Sequence, residues 1–125
     1  NTPPCWCIYM TGLVLDYLEH EVGGLAAMQQ INEAKAKVLY DYLDSQDFYR
    51  NPVEHRYRST MNVTFTSPDP DTDKKFCAQA AEAGLVNLKG HRLVGGMRAS
   101  IYNAMPPAGI DKLVEFMEAF RKANA

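Results

Sequence analysis

The chain has 125 residues, of which 46% are hydrophobic and 22% charged, with a formal net charge of −2 and an isoelectric point of about 5.9. This composition is typical of a soluble globular protein of one domain, and the mild acidity argues against nucleic-acid binding, because such binding needs a basic face that neutralises phosphates. The longest apolar stretch, residues 6–18, is interrupted by Thr11, Gly12 and Asp16, so we expect neither a signal peptide nor a membrane span.

The first predicted helix is apolar on nearly all sides. Thr2 is a suitable N-cap and Pro3 a suitable first helical residue, and the apolar residues 6–18 follow until Gly23-Gly24 ends the helix. A helix with this pattern is usually buried on several sides. Because the chain begins without methionine and enters this helix almost at once, we expect it to be part of a longer polypeptide.

A second helix is predicted over residues 25–43, where apolar side chains recur at helical spacing. They are Met28, Ile31, Val38, Leu39 and Tyr42. Residues 47–58 are polar and contain Pro52, so they are predicted to form a loop.

Three short strands are predicted after this loop, over residues 61–66, 85–88 and 97–102. The first and third alternate between apolar and polar residues, which is typical of a half-buried strand. Their inward residues are Met61, Val63 and Phe65 in the first strand, and Met97, Ala99 and Ile101 in the third.

Two more helices complete the pattern. One is capped by Asp69 or Asp71 and ends near Gly84, and the other follows Pro106-Pro107. The inward residues of the last helix are Ile110, Leu113, Val114, Met117 and Phe120. Helices and hairpin-like strands in this order predict an α+β fold of two layers, with a short, mainly antiparallel sheet and helices packed on one face.

The cysteines and two of the histidines carry no clear chemistry. Cys5, Cys7 and Cys77 are an odd number, so we expect reduced thiols that are buried and inert rather than a disulfide scaffold. The Cys-x-Cys pair has no further ligand at suitable spacing, so no metal site is predicted. His20 and His55 stand alone in polar stretches and are expected to be solvated.

Residues 88–104, LKGHRLVGGMRASIYNA, gather cations around glycines. A hairpin would bring His91 and Arg92 in its loop close to Arg98 at the start of the next strand. Two interpretations remain open from spacing alone: solvated cations on a glycine-rich hairpin, or a pocket for a small molecule with a carboxylate and a phosphate. Neither a P-loop nor a G-x-S-x-G or H-E-x-x-H motif is present.

Several segments resemble one enzyme family. NTPP, IYMTGLVLDYL, QDFYRN, RSTMNVTF and LKGHRLVGGMRASIYNAMP are similar to the phosphoserine aminotransferases, pyridoxal-phosphate enzymes of the fold-type I aminotransferase group, and the likeness runs along the whole chain. It implies an interdomain helix segment over residues 1–22 and the C-terminal small domain over residues 23–125. The long apolar helix would then pack against a large domain that precedes it.

The resemblance also implies where the chemistry lies. In the family, the large domain carries the lysine that binds pyridoxal phosphate, so no catalytic residue is expected in this chain. The lysines present lie outside that context and are predicted to be surface cations. They are Lys35, Lys37, Lys74, Lys75, Lys89, Lys112 and Lys122.

By resemblance, His91 and Arg92 hold the substrate phosphate, Arg98 holds the α-carboxylate, and Asn1 and Thr2 reach the cofactor phosphate of a neighbouring subunit. The implied reaction transfers an amino group between glutamate and 3-phosphohydroxypyruvate, giving O-phosphoserine and 2-oxoglutarate. A cytoplasmic homodimer in serine biosynthesis is expected, with a further role in vitamin B6 biosynthesis in some members. The competing hypotheses are a non-enzymatic α+β module that binds a small phosphorylated acid and another fold-type I aminotransferase.

Overall fold

Helices and two short strands alternate in the computed structural model, which describes residues 2–125. The elements are helix α1 (Cys5–Asp16), a π-helical turn (Tyr17–Val22), helix α2 (Leu25–Asp44), a 3-10 helix (His55–Tyr57), strand β1 (Asn62–Phe65), helix α3 (Pro70–Glu82), strand β2 (Met97–Ser100) and helix α4 (Pro107–Asn124). This is the predicted α+β class. The chain divides into two compact units, one up to Ile31 and one from Asn32 onward.

The first unit differs from its prediction in three ways. Helix α1 begins at Cys5 after an N-cap at Pro4, so the predicted N-cap role of Thr2 is wrong. The continuous long helix is also wrong, because α1 has 12 residues and is followed by six residues in the wider π-helical turn. Gly23 ends this turn in the left-handed conformation, with φ of 93°, as expected for a C-terminal glycine.

The third difference concerns burial. None of the residues of α1 is buried, although a helix that is apolar all round was expected to be covered on several sides. The large exposed side chains of α1 are Trp6, Ile8, Tyr9, Met10, Leu13, Val14 and Leu15. Within residues 2–125, no helix is both long enough and apolar enough to cross a membrane.

Helix α2 buries a stripe that the sequence only partly predicted. Met28 and Leu39 are buried as expected, whereas Ile31 and Val38 are 39% and 42% exposed. Asn32 and Lys35 are buried instead, because positions 28, 32, 35 and 39 fall on one side of a helix.

The two strands pair antiparallel, with Val63 opposite Ala99 and Phe65 opposite Met97. These four side chains are buried, which confirms the predicted inward face of both strands. The predicted strand over residues 85–88 is wrong: Asn87 has a φ of 63°, which breaks extended backbone. Only an isolated bridge between Lys89 and Met97 extends the pairing on that side.

Aromatic rings dominate the core of the second unit. The ring of Phe76 in α3 lies 5.1 Å from those of Phe116 and Phe120 in α4, and 5.8 Å from that of Phe65 in β1. The ring of Tyr49 lies 5.8 Å from both Phe65 and Phe76. These edge-to-face contacts join the inner face of the sheet to α3 and α4, and burying each such ring contributes about 1.5–3 kcal/mol.

Candidate anion-binding site

The loop between Lys89 and Met97, here called the glycine loop (residues 90–96), is closed by hydrogen bonds between backbone groups. The Gly90 N–H donates to the Gly96 carbonyl at 2.9 Å, and the Arg98 N–H donates to the Leu88 carbonyl at 2.7 Å. These bonds place the loop at the N-terminal end of β2, with His91 and Arg92 at the tip of the loop.

A tight turn then shapes the tip itself. The His91 carbonyl accepts from the N–H groups of Val94 at 2.9 Å and Gly95 at 2.8 Å. The Leu93 N–H lies 3.3 Å from His91 Nδ1, a contact that uses the lone pair of this nitrogen. A neutral His91 ring in this arrangement carries its proton on Nε2, which is then the nitrogen that can donate to a ligand.

Two of the loop glycines have no room for a side chain. A Cβ on Gly90 would overlap the Gly95 carbonyl oxygen and lie 2.7 Å from that of Gly96. Gly96 has a φ of +66°, and a Cβ there would lie 2.8 Å from the Phe65 carbonyl oxygen and 2.9 Å from Thr66 Cγ2. The glycines therefore let the loop lie directly against the end of β1.

His91 and Arg92 line a cavity of about 660 Å³ between the glycine loop and the first turns of α3. Other polar and charged side chains that line it are Thr66, Ser67, Asp69, Asp73, Lys74, Cys77 and Lys89. The cavity is large enough for a small organic acid. The structure thus brings two of the three predicted anion-binding residues into one concave site.

The carboxylates in this cavity are already engaged. Asp69 caps α3 by accepting from the N–H groups of Asp71 and Thr72, each at 2.9 Å. These bonds and one from the Thr72 hydroxyl hold the pKa of Asp69 below its usual range. Asp73 accepts from the N–H and the hydroxyl of Ser67, at 2.8 and 2.6 Å.

The cationic side chains of the cavity have fewer hydrogen-bond and ion-pair partners than its carboxylates. Lys74 pairs with Asp71, whereas no ion pair is found for Lys89 or Arg92 among the described residues. Because the acids are used by α3 and by the preceding turn, the side chains left to bind a ligand are mainly positive. The cavity is therefore suited to an anion.

Arg98 lies outside this cavity, on the outer face of β2, opposite Thr64 of β1. Its Nε is buried and has no hydrogen-bond partner within residues 2–125. Asn62 Oδ1, on the same face of β1, is a buried acceptor without a partner within the same residues. A buried charged donor without an acceptor is costly, so this face is suited to a polar ligand or to a further part of the protein.

The remaining predicted site residues are not part of this cavity. Thr2 belongs to the first unit, where it is exposed, and Asn1 lies outside the described residues. Among the described residues no side chain caps the start of α1, which follows Thr2 by three residues, and the Cys5 N–H donates to the Pro3 carbonyl at 2.8 Å. Free N–H groups at a helix N-terminus are a common binding site for phosphate.

One of the lysines is not the surface cation that was predicted. Lys35 is 2% exposed, and its Nζ donates to the carbonyls of Ile101, Tyr102 and Met105. The sequence contained a signal for this position, since Lys35 falls seven residues after Met28 and four before Leu39 on the apolar stripe of α2. A prediction from apolar residues alone does not include Asn32 and Lys35, although both lie on this stripe.

The cysteines are free, as predicted, but their predicted burial is wrong for two of them. Cys5 and Cys7 are exposed and Cys77 is half-buried. Burial raises the pKa of the Cys77 thiol, so this group is mostly protonated at neutral pH. Within residues 2–125, no cluster of three or more histidine, cysteine or carboxylate side chains could hold a metal ion.

Comparison with known proteins shows one consistent similarity. The family model for "Aminotransferase class-V" matches residues 1–113. Over 125 residues the chain is 54% identical to the phosphoserine aminotransferase of Nitrosomonas europaea, and over 122 residues it is 55% identical to that of Herminiimonas arsenicoxydans. It spans about a third of these relatives: the match covers 100% of the chain and 34% of the first, and 98% and 33% for the second.

Solved structures give the same result. The phosphoserine aminotransferase from Bacillus circulans subsp. alkalophilus superposes with a TM-score of 0.94 at 47% identity, covering 100% of this chain and 35% of that one. A phosphoserine aminotransferase from Trichomonas vaginalis, solved with bound PLP, superposes with a TM-score of 0.87 at 42% identity over 94% of this chain and 34% of that one.

Proposed function

The chain belongs to the class-V aminotransferase family, and from this premise we propose that its complete polypeptide is a phosphoserine aminotransferase. It would transfer an amino group between glutamate and 3-phosphohydroxypyruvate, giving O-phosphoserine and 2-oxoglutarate. The similarity to proteins of that name along the whole chain supports this substrate pair. This chain would contribute the residues that recognise the substrate anions, and we assign residues 1–22 to an interdomain helix segment and residues 23–125 to the small domain.

The observation that carries the proposal is the state of Arg98. Its buried Nε lacks an acceptor within residues 2–125, and its guanidinium can bind a carboxylate through two parallel hydrogen bonds. Both amino donors and both keto acids of the reaction carry an α-carboxylate, so one arginine serves all four. Holding that group fixes the reacting carbon in place, and such orientation is a large part of catalysis.

His91 and Arg92 provide the second anchor, for the phosphate. Arg92 is a permanent cation, and His91 can donate from Nε2 because Nδ1 is engaged by the Leu93 N–H. The rigid turn at the tip of the glycine loop keeps the two side chains at one end of the cavity. A substrate without a phosphate would leave these groups unpaired, which is the physical basis for selecting the phosphorylated acid.

The residues present fit the periphery of a pyridoxal phosphate site, and we place its covalent attachment in another part of the complete polypeptide. The uncapped start of α1 is suited to a phosphate, and we assign Asn1 and Thr2 to the cofactor phosphate of a neighbouring subunit. Lys35 has its three donors occupied, while Lys37, Lys74 and Lys122 have exposed side chains. The cofactor, when bound, supplies the electron sink for the reaction, and its lysine would come from another part of the polypeptide.

Further features of the complete protein follow from this proposal. We infer a homodimer in which subunits share active sites, a cytoplasmic location and a place in serine biosynthesis, in a family of which some members also act in vitamin B6 biosynthesis. The apolar surface of α1, with Trp6 72% exposed, supports packing against further protein in that assembly.

Steady-state kinetics of the complete polypeptide would test the proposal. In Arg98→Ala, kcat/KM should fall about 10- to 100-fold for both glutamate and O-phosphoserine, because a hydrogen-bonded charge is removed from both. In His91→Ala the loss should be confined to O-phosphoserine, and His55→Ala, which alters an exposed histidine away from the cavity, is the matched control. Equal losses for both substrates in His91→Ala would contradict the assigned phosphate role.

The same preparation separates the competing hypotheses. A wild-type protein that binds O-phosphoserine but transfers no amino group would support the non-enzymatic module. A wild-type enzyme that uses unphosphorylated keto acids as well as the phosphorylated one would indicate a different aminotransferase of the group.

A further inference from the structure

Lys35 forms a buried polar clamp on the segment that follows β2. Its ammonium group donates to the carbonyl oxygens of Ile101 at 3.2 Å, Tyr102 at 2.8 Å and Met105 at 2.9 Å. An ammonium group has three donors and no acceptor, so these three carbonyls use its full hydrogen-bonding capacity. Burial lowers the pKa of Lys35, because removal from water disfavours the charged form of the ammonium group.

A second side chain of α2 reinforces this clamp. Asn32, one turn before Lys35 on the same side of the helix and 5% exposed, donates from Nδ2 to Asn103 Oδ1 at 2.8 Å. Four of the five residues from 101 to 105 therefore accept a hydrogen bond from Lys35 or Asn32. A segment without regular secondary structure is thus fixed to α2 by four side-chain hydrogen bonds.

The clamp acts directly after the C-terminal end of β2. The Ile101 N–H donates to the Met61 carbonyl at 2.9 Å, which continues the ladder between the two strands by one step. Arg98 lies three residues before Ile101, and the strand alternation places it on the outer face, away from the buried Met97, Ala99 and Ile101. The backbone of Arg98 is held by its pairing with Thr64 and by its N–H bond to the Leu88 carbonyl, and the position of the C-terminal end of β2 further limits how the strand can shift.

We propose that Lys35, supported by Asn32, is a positioning residue that holds the C-terminal end of β2 and thereby fixes Arg98 for carboxylate binding. The inference rests on the proposed function, because it takes Arg98 as the carboxylate anchor. It adds to that function a buried side chain whose hydrogen bonds are all to backbone carbonyls of this chain.

The position of the clamp predicts which substrate-binding contacts weaken when the clamp is removed. The glycine loop lies at the N-terminal end of β2, and its tip residues His91 and Arg92 are farther along the chain from Ile101 than Arg98 is. Loss of the clamp should therefore disturb Arg98 more than the phosphate-binding side chains. Binding of every substrate with an α-carboxylate should weaken by a similar factor, whereas selectivity for the phosphate should stay unchanged.

The test uses Lys35→Met in the complete polypeptide, with Lys37→Met as the matched control. Both substitutions remove one ammonium from α2, but Lys37 is exposed and pairs with Asp41, one turn away on the same helix. In Lys35→Met we expect kcat/KM to fall about tenfold for glutamate and by the same factor for O-phosphoserine, chiefly through KM. Lys35→Gln, which keeps two donors, should recover part of the loss, and Lys37→Met should match the wild type.

Hydrogen exchange gives a readout that does not depend on activity. The amides of Ile101 and Met105 are hydrogen-bonded beside the clamp and should exchange faster in Lys35→Met than in the wild type or in Lys37→Met. If Lys35→Met does not fold, Asn32→Ala removes only the adjoining bond and should show the same pattern to a smaller degree.

The outcomes separate the positioning role from simple destabilisation and from the proposed function. A common rise in KM with faster exchange at residues 101–105 supports the inference. A lower kcat with unchanged KM for both substrates means only less folded enzyme and overturns it, as does a loss confined to O-phosphoserine. Absence of transaminase activity in the wild type would overturn the proposed function instead.

Discussion

A side chain added at Gly96 should destabilise the protein more than one added at Gly95, although the two glycines are adjacent and both have positive φ. Gly95 has a φ of +81°, and a Cβ there would meet no heavy atom within 4 Å. Gly96 has a φ of +66°, and its Cβ would lie 2.8 Å from the Phe65 carbonyl oxygen. The pair therefore separates backbone strain from close approach to β1.

Backbone strain and close approach to β1 give the expected losses in the free energy of unfolding. A left-handed conformation costs an L-residue roughly 1–2 kcal/mol, so Gly95→Ala should lower the free energy of unfolding by about that amount. Gly96→Ala adds an overpacking term of roughly 1–3 kcal/mol, because a backbone oxygen has to move rather than a flexible side chain. The total expected for Gly96→Ala is thus about 2–5 kcal/mol.

Urea denaturation of the two variants and the wild type measures this difference. The midpoints should fall in the order wild type, Gly95→Ala, Gly96→Ala, with the dependence on urea concentration unchanged. Equal losses in the two variants would refute the close contact between the glycine loop and β1. A larger loss in Gly95→Ala would refute the conformation of the loop itself.

Three further predictions concern stability. Asp69→Ala removes the side-chain cap of α3 and should cost about 1 kcal/mol in the free energy of unfolding, measured by urea denaturation; no loss would show that α3 does not need the cap. Tyr49→Phe removes a buried hydroxyl that donates to a carbonyl of α4 at 2.9 Å and should cost about 1 kcal/mol, whereas Tyr57→Phe, at a side chain 65% exposed, should cost nothing measurable by the same method. The guanidinium of Arg121 beside Glu118 lowers the pKa of that carboxyl from 4.5 to about 2. Because the folded-state pKa is the lower one, the stabilisation is present above about pH 4.5 and is lost as the pH falls towards 2, so Glu118→Gln should flatten the acid limb of a stability–pH profile; parallel limbs would contradict this linkage.

Local sequence patterns determined much of the fold because the physics they report is itself local. Alternation in β1 and β2 identified the buried residues, since successive side chains of a strand point to opposite faces. The acid at Asp69 before a proline marked the start of α3, because it satisfies N–H groups two and three residues ahead. The glycines of the segment around His91 and Arg92 likewise indicated a sharply bent loop.

Patterns were less informative at two places where the backbone conformation of single residues sets the limits of an element. Residues 85–88 are apolar enough for a strand, but Asn87 adopts positive φ, so no ladder forms there. The start of the first helix was misplaced, because Thr2 lies three residues before Cys5 and therefore caps nothing.

The sequence by itself determined the family, the α+β class and the cluster of cations, because residue identity and short-range spacing are enough for those. Only the tertiary structure decided that His91 and Arg92 line a cavity whose acids are already engaged, and that Arg98 lies apart from it on the outer face of the sheet. Only the fold decided that Lys35 is buried, because its three acceptors lie 66 to 70 residues away along the chain. The spacing on α2 places Lys35 on the buried stripe, but it does not identify the carbonyls that make burial of an ammonium group possible, since these depend on how two distant segments are packed together.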